Sequence, residues 1–189
     1  MFIPVGVSAR HIHLTKENFI KLFGYEELTK FKDIKQPGLF AAEEKVTLKT
    51  DNYSIDNVRI LGPFRDYNQA EISKTDAYKF KVNPKVRRSG EVDDTDLITV
   101  VGPKGQVQIP VIIANRHIHI TTKQANELNV KDRQTVPVKI NSEKPGVILV
   151  EFKVSEEAFL ELHLDTDDAN AFLLNQDDEV ELVEDKYDI

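Results

Sequence analysis

The chain has 189 residues, no cysteine, 40% hydrophobic and 30% charged residues, and a net charge of −7. That length buries one sizeable core or two small ones, and the composition is that of a soluble globular protein without a run approaching the roughly 20 apolar residues of a membrane span. The acidic balance argues against a nucleic-acid surface, and the missing cysteines exclude disulfides, thiolate metal sites and a cysteine-held thioester.

The first predicted element is also the most informative. Residues 4–15 read PVGVSARHIHLT, and residues 110–121 read PVIIANRHIHIT. Each copy is an apolar, β-branched run ending in His-x-His, so an extended strand turns both imidazoles of a pair to one side. Of the five histidines, His11, His13, His117, His119 and His163, four fall in these pairs. Burial offers imidazole little, so matched pairs on apolar strands point to metal chelation. The repeat favours two related domains.

After the first pair, Thr15 caps a short helix that Gly24 ends, with Phe19, Ile20, Leu22 and Phe23 on one face. Pro37-Gly38 marks a turn, and KVTLKTDNYSIDNVRIL alternates about Asp51-Asn52 as a hairpin. Gly62-Pro63 opens a polar loop that feeds Ala70-Glu71-Ile72 and a capped helix at Thr75-Asp76-Ala77. Residues 83–97 are turn-rich, and LITVVG with GPKGQVQI forms a second hairpin leading into the second His-x-His strand. Thr121 or Thr122 then caps a helix to about Leu128, followed by strands TVPVKI and GVILVEFKV. EAFLELHL brings in His163 on a strand, Thr166-Asp167-Asp168-Ala169 opens the last helix, and EVELV is the last strand. Capped helix, polar turn and Val-rich strand recur at 75–101, 121–140 and 166–183. Without long β-α alternation, the expected class is mainly β with short helices, in two small pseudo-duplicated β-barrels.

A catalytic zinc site takes three protein ligands and leaves a position open, so five histidines fall one ligand short of two sites. The sixth is expected to be a carboxylate from Glu43, Glu44, Glu71 or Asp165, and spacing does not choose among them. Arg10 and Arg116 precede the pairs and point to the opposite face, which suits salt bridges. Arg65, in the Gly-Pro loop, is placed to bind phosphate or carboxylate in a bidentate manner. Lys74, Arg87 and Arg88 are read as solvated charge or rim contacts, and Asp93-Asp94 and Asp177-Asp178 as turns.

VGVSARHIHLT, QPGLFAAEEKVTL, NVRILGPFRDYNQAEISKTDAY, the GPKG turn, VIIANRHIHIT and ELHLDTDDANA together resemble the phosphate acyltransferase family typified by the propanediol-utilisation phosphotransacylase. The likeness runs from about residue 3 to residue 183. It implies an enzyme that converts acyl-CoA and phosphate to acyl phosphate and CoA through two divalent metal ions, usually zinc. It implies one barrel from residues 10–109 and another from 110–189 completed by strand 1–9, with the active site between them. By this resemblance His117, His119 and Glu71 hold the metal that meets the CoA sulfur, His11, His13 and His163 hold the second, and Arg65 binds phosphate. Glu43 and Glu44 become supporting residues. Ala9 and Lys74 depart from the Asn and Arg common in the family, which touches rim contacts only.

The reaction expected is direct transfer in a ternary complex, since no thiol is present and a serine would lack a free histidine base. The expected setting is a cytoplasmic homodimer without a microcompartment-targeting extension, binding neither nucleic acid nor membrane. A metal-dependent hydrolase of an ester or phosphoester on the same ligands, and a non-catalytic metal-binding protein, are the competing readings.

Overall fold

The computed structural model describes residues 1–183. In chain order the elements are β1 (Phe2–Ser8), β2 (His11–His13), α1 (Lys16–Phe23), β3 (Lys30–Asp33), β4 (Phe40–Lys49), β5 (Ser54–Gly62), β6 (Gln69–Glu71), α2 (Lys74–Phe80) and β7 (Lys85–Arg87). Then come β8 (Leu97–Val101), β9 (Gln106–Ala114), β10 (His117–Thr121), α3 (Thr122–Glu127), β11 (Thr135–Ile140), β12 (Gly146–Ser155), β13 (Glu161–Asp165), α4 (Thr166–Ala171) and β14 (Glu179–Leu182).

These elements sort into two compact units, Ala9–Ala114 and Met1–Ser8 with the chain from Asn115 onward. The divisions fall at 8/9 and 114/115 rather than at 9/10 and 109/110, because β9 pairs its first half with β8 and its second half, from Val111 to Ala114, with β6 and β7. Residues 184–189, expected in the C-terminal domain, lie outside the described residues.

The terminal unit is a closed barrel in the order β1-β13-β10-β12-β11-β14, with β14 returning to β1. In the central unit the path β4-β5-β2-β6-β9 is closed by β8, which pairs with both β9 and β4, while β3 and β7 add to its edges. The two barrels have one topology. In each, the His-x-His strand runs parallel to one neighbour, β5 or β12, and antiparallel to another, β6 or β13. Strand β1 takes in the terminal barrel the place of β9 in the central one, parallel to the strand that carries the third ligand candidate. The expected pair of small, mainly β barrels is therefore present.

Local chemistry explains the helices. Thr15, Ser73, Thr121 and Asp165 each accept the amide of the residue three positions on, satisfying a donor that the first turn leaves open. Thr121 and Gln124 complete a capping box. Gly24, at φ 82°, ends α1 in the left-handed conformation that costs glycine least. For α2 the cap is Ser73, not the expected Thr75-Asp76 region, and this frees the Asp76 carboxylate for another partner.

Each unit has its own apolar core. Phe19, Leu22, Ile60, Phe80 and Ile109 meet in the central barrel, and Ile3, Ile118, Val138, Phe152 and Leu162 in the terminal one. Phe19, Phe80 and Phe152 are fully buried, and truncating such a ring costs about 3–5 kcal/mol. Strands alternate accordingly, as in β4, where Ala42, Glu44, Val46 and Leu48 face in. Glu44 can face in because its carboxylate accepts the Thr29 amide and the Tyr25 hydroxyl.

Candidate functional site

Strand register singles out one carboxylate, Glu71, as the sixth ligand candidate. Strand β6 lies antiparallel to β2 with Glu71 opposite His11, and β13 lies antiparallel to β10 with His163 opposite His117. Facing residues in an antiparallel pair share a side of the sheet, so each His-x-His pair acquires one further donor from the strand beside it. Among the described residues two such groups form: His11 with His13 and Glu71, and His117 with His119 and His163. Within each group the candidate ligand atoms lie within 4.8 Å of one another.

The central triad is buried. His11 Nε2 stands 3.4 Å from Glu71 Oε2, and His13 Nε2 stands 3.7 Å from Glu71 Oε1. The Nδ1 of His11 lies 2.9 Å from the Ala9 carbonyl, and that of His13 lies 3.3 Å from the Leu61 carbonyl. An Nδ1–H donated to a carbonyl leaves Nε2 with its lone pair for a ligand. In the terminal triad His117 Nδ1 meets the Asn115 carbonyl at 2.7 Å, the same contact two residues back in the chain. His117 Nε2 then lies 3.1 Å from His119 Nε2. The His163 ring centroid is 4.5 Å from that of His119 and 5.3 Å from that of His117.

These donor sets fit a zinc-type ion. Ligand atoms about 2.0–2.1 Å from a tetrahedral ion stand roughly 3.3 Å apart, close to the 3.1 and 3.4 Å separations here. Three nitrogen or oxygen donors with a fourth position open is the composition of catalytic zinc sites rather than closed structural ones.

A charged side chain sits beside the central triad. Arg65 follows β5 across the Gly62–Pro63 bond, and its backbone amide donates to the Leu14 carbonyl at 2.9 Å, next to His13. Its Nε is buried and has no hydrogen-bond partner among the described residues. A buried guanidinium donor left open is costly unless an anion completes it.

The family model described as phosphate propanoyltransferase matches residues 4–175. The phosphate propanoyltransferase of Thermotoga maritima is 46% identical over 96% of this chain and 89% of its own length. That of Salmonella typhimurium is 41% identical over 89% of this chain and 82% of its own. The chain belongs to the phosphate propanoyltransferase family. It is therefore an acyltransferase of the phosphate acyltransferase class, as the motifs implied.

Within this family member the six expected ligand residues are grouped differently from the resemblance. Glu71 joins His11 and His13, and His163 joins His117 and His119, so the assignment of Glu71 to the His117 pair and of His163 to the His11 pair is crossed. The reason is register: each third donor lies on the antiparallel neighbour of its own pair, in its own barrel. The other carboxylate candidates are used elsewhere. Glu43 is exposed, Glu44 holds the loop at Thr29, and Asp165 caps α4.

Arg10 and Arg116 make the expected salt bridges, and they are equivalent. Arg10 binds Asp76 through Nε and Nη2, and Arg116 binds Asp168 in the same way, so each arginine ties the residue before a histidine strand to the first turn of a helix. Lys74 reaches Asn83, and Arg87 donates to the Val86 carbonyl. Asp94 and Asp177 sit in turns with φ 51° and 70°.

Three residues escaped the sequence reading. Gln69 and Glu161 lie two positions before Glu71 and His163, and hydrogen-bond to them. Gly6 leaves room for Glu161 and His163. The signal available was the alternation already used for the histidines, which puts Q-A-E and E-L-H ends on one face.

Charge within the metal-free central triad sets a pH dependence. Burial acts first on Glu71, raising it, but His11 and His13 outweigh this and hold it well below its ordinary 4.5. Burial likewise pulls His11 down, while the charge of Glu71, the hydrogen bond to Glu71 and then that to the Ala9 carbonyl together outweigh it, leaving His11 above 6.5. Burial leads for His13, and with the charges of His11 and Arg65 it leaves that ring lowered despite Glu71. The raised His11 stabilises the fold fully below its unfolded value and loses this as pH rises through its folded one; the depressed Glu71 stabilises above its unfolded value and loses this as pH falls. Both contributions are complete between pH 4.5 and 6.5. The lowered His13 works the other way, costing stability as pH falls below 6.5, so it is the stability lost in Glu71→Gln, measured as the difference between the thermal melts of the two metal-free proteins across pH, that should be largest in that mildly acidic window.

Proposed function

We propose that this protein catalyses acyl-CoA + phosphate = acyl phosphate + CoA by direct transfer in a ternary complex, with propanoyl and neighbouring short acyl groups as substrates. The observation that carries the reading is the pair of register-matched three-donor groups, His11-His13-Glu71 in one unit and His117-His119-His163 in the other, together with the buried Nε of Arg65 that has no partner among the described residues. The names of the family relatives supply the substrates.

Each triad would hold a divalent ion, zinc first, supplying Lewis-acid polarisation of the thioester carbonyl and stabilisation of the thiolate that leaves. Arg65 offers phosphate a charged, planar donor set that lowers its repulsion from the acidic chain and fixes its orientation. A phosphate oxygen attacks the carbonyl carbon, the new C–O bond forms, and the C–S bond breaks with its electron pair going to sulfur. No acyl-enzyme is required. The chain has no cysteine, and all five imidazoles are committed to the triads, so a serine would have no free histidine to activate it. A cytoplasmic homodimer is the setting we expect, to be checked by fractionation and by the mass of the purified protein.

Purified protein should release CoA from acetyl-, propionyl- or butyryl-CoA only when phosphate is present, carry one ion per triad, and lose activity on chelation with recovery on zinc addition. Release without phosphate would instead favour the hydrolase. Parallel initial-rate lines or an isolated acylated protein would overturn direct transfer.

A further inference from the structure

The two triads are built on one register, and the residue two positions before the third donor is held in the same place in both. On β6 that residue is Gln69, opposite His13; on β13 it is Glu161, opposite His119. Both are buried, Gln69 fully and Glu161 at 3% exposure. Gln69 Nε2 donates to Glu71 Oε1 at 2.6 Å, and His163 Nε2 lies 2.7 Å from Glu161 Oε2.

The chemistry of the two positions is exchanged. Where the third donor is a carboxylate, its neighbour is a neutral amide that donates a hydrogen bond to it; where the third donor is an imidazole, its neighbour is a carboxylate that accepts one from it. Each set of four side chains, two histidines with either Glu71 and Gln69 or His163 and Glu161, therefore carries one acidic group. In the central set the acid touches the ligand position directly, and in the terminal set it stands one hydrogen bond behind it. A carboxylate behind a ligating imidazole fixes the ring and raises its basicity, typically by about 10–100-fold in metal affinity. With Nε2 of His163 on Glu161, Nδ1 is the nitrogen left to face an ion.

The preceding strand is adapted to the same contact. Gly6 of β1 pairs with His163, and its counterpart Ile112 of β9 pairs with Glu71. A Cβ on Gly6 would lie 2.6 Å from Glu161 Cδ and 2.8 Å from His163 Cδ2, whereas the Gln69–Glu71 contact coexists with the full side chain of Ile112. The repeat has kept a large apolar residue in one barrel and none in the other, where the carboxylate–imidazole pair needs the space.

We propose that Glu161 is a positioning residue for the His117-His119-His163 centre, seated by Gly6, and that it supplies from behind His163 the negative charge that Glu71 supplies as a donor in the central triad. This rests on the metal-binding reading above. It predicts a graded loss of zinc affinity at that centre. Glu161→Gln keeps an acceptor for His163 but removes the charge, about a tenfold loss; Glu161→Ala removes both, a loss approaching a hundredfold. Gly6→Ala, which displaces the pair, should match Glu161→Ala, and the double variant should be no worse than either alone.

The experiment is a chelator competition titration with zinc in the full-length chain carrying His13→Ala, so that the terminal triad is read alone, beside thermal melts of the metal-free proteins. The same titration with all six ligands present resolves two binding steps and covers a failure of His13→Ala to fold. The expected result is wild-type binding at the terminal triad with affinity falling in the order wild type, Glu161→Gln, Glu161→Ala. Unchanged affinity with a lowered melting temperature would make Glu161 a purely structural residue and overturn this inference while leaving the metal reading intact. No zinc bound at the terminal triad of the unsubstituted protein would overturn both.

Discussion

Glu71→Gln is expected to lower phosphate-dependent CoA release by about a thousandfold, a barrier change of roughly 4 kcal/mol that matches the several kcal/mol a catalytic metal supplies. It should also release the ion held with His11 and His13, and leave that of His117, His119 and His163 in place. The reasoning is local. Glu71 is the only acidic member of its triad, it is buried, and its two oxygens lie within 3.4 and 3.7 Å of the two imidazole nitrogens. An amide of the same shape takes away the negative charge that offsets the ion, and it turns a donor toward either an imidazole or Gln69 Nε2, which now donates at 2.6 Å. Metal content per chain, read by mass spectrometry alongside cobalt absorption, distinguishes the outcomes. Loss of the ion from the His117 group instead would restore the grouping that the resemblance implied.

The second large effect falls on phosphate. Arg65→Ala should lower kcat/KM for phosphate by about a hundredfold or more, with the KM for acyl-CoA little changed, because hydrogen bonds to charged groups contribute roughly 1.5–3 kcal/mol each and tenfold corresponds to about 1.4 kcal/mol. The fold should survive, since the backbone amide of residue 65 still donates to the Leu14 carbonyl and the lost side chain's Nε has no partner among the described residues. Arg65→Lys should recover only part, because an ammonium restores the charge without the planar fork. Steady-state kinetics varying each substrate in turn will show it, and an equal loss toward both substrates would move Arg65 out of the phosphate site.

The sequence by itself determined what depends on neighbours in the chain. Alternation put His11 beside His13 and His117 beside His119, and Thr15, Gly24, Thr121 and the Asp51-Asn52 turn marked their elements because caps and turns are satisfied within a few residues. Family likeness along most of the chain identified the class of reaction. The repeat of helix, polar turn and strand was legible in three places, and its fourth copy, α1 leading to β4, was hidden by the residues between them, which include β3. That strand, Lys-Phe-Lys-Asp, is exposed throughout and has no apolar alternation to betray it; β7 likewise forms in a turn-rich stretch because β9 offers it an edge.

Only the tertiary structure decided which third donor goes with which pair. Glu71 reaches His11 because β6 runs antiparallel beside β2, and His163 reaches His117 because β13 runs antiparallel beside β10. Glu43, Glu44 and Asp165 carry the same carboxylate, and nothing in their local spacing sets them apart from Glu71; what separates them is strand register between residues far apart in the chain. The same register brings Glu161 behind His163 and leaves only a glycine's width on β1 to seat it. Donor identity is written residue by residue, but a metal centre is a distance, and distances across a sheet belong to the fold.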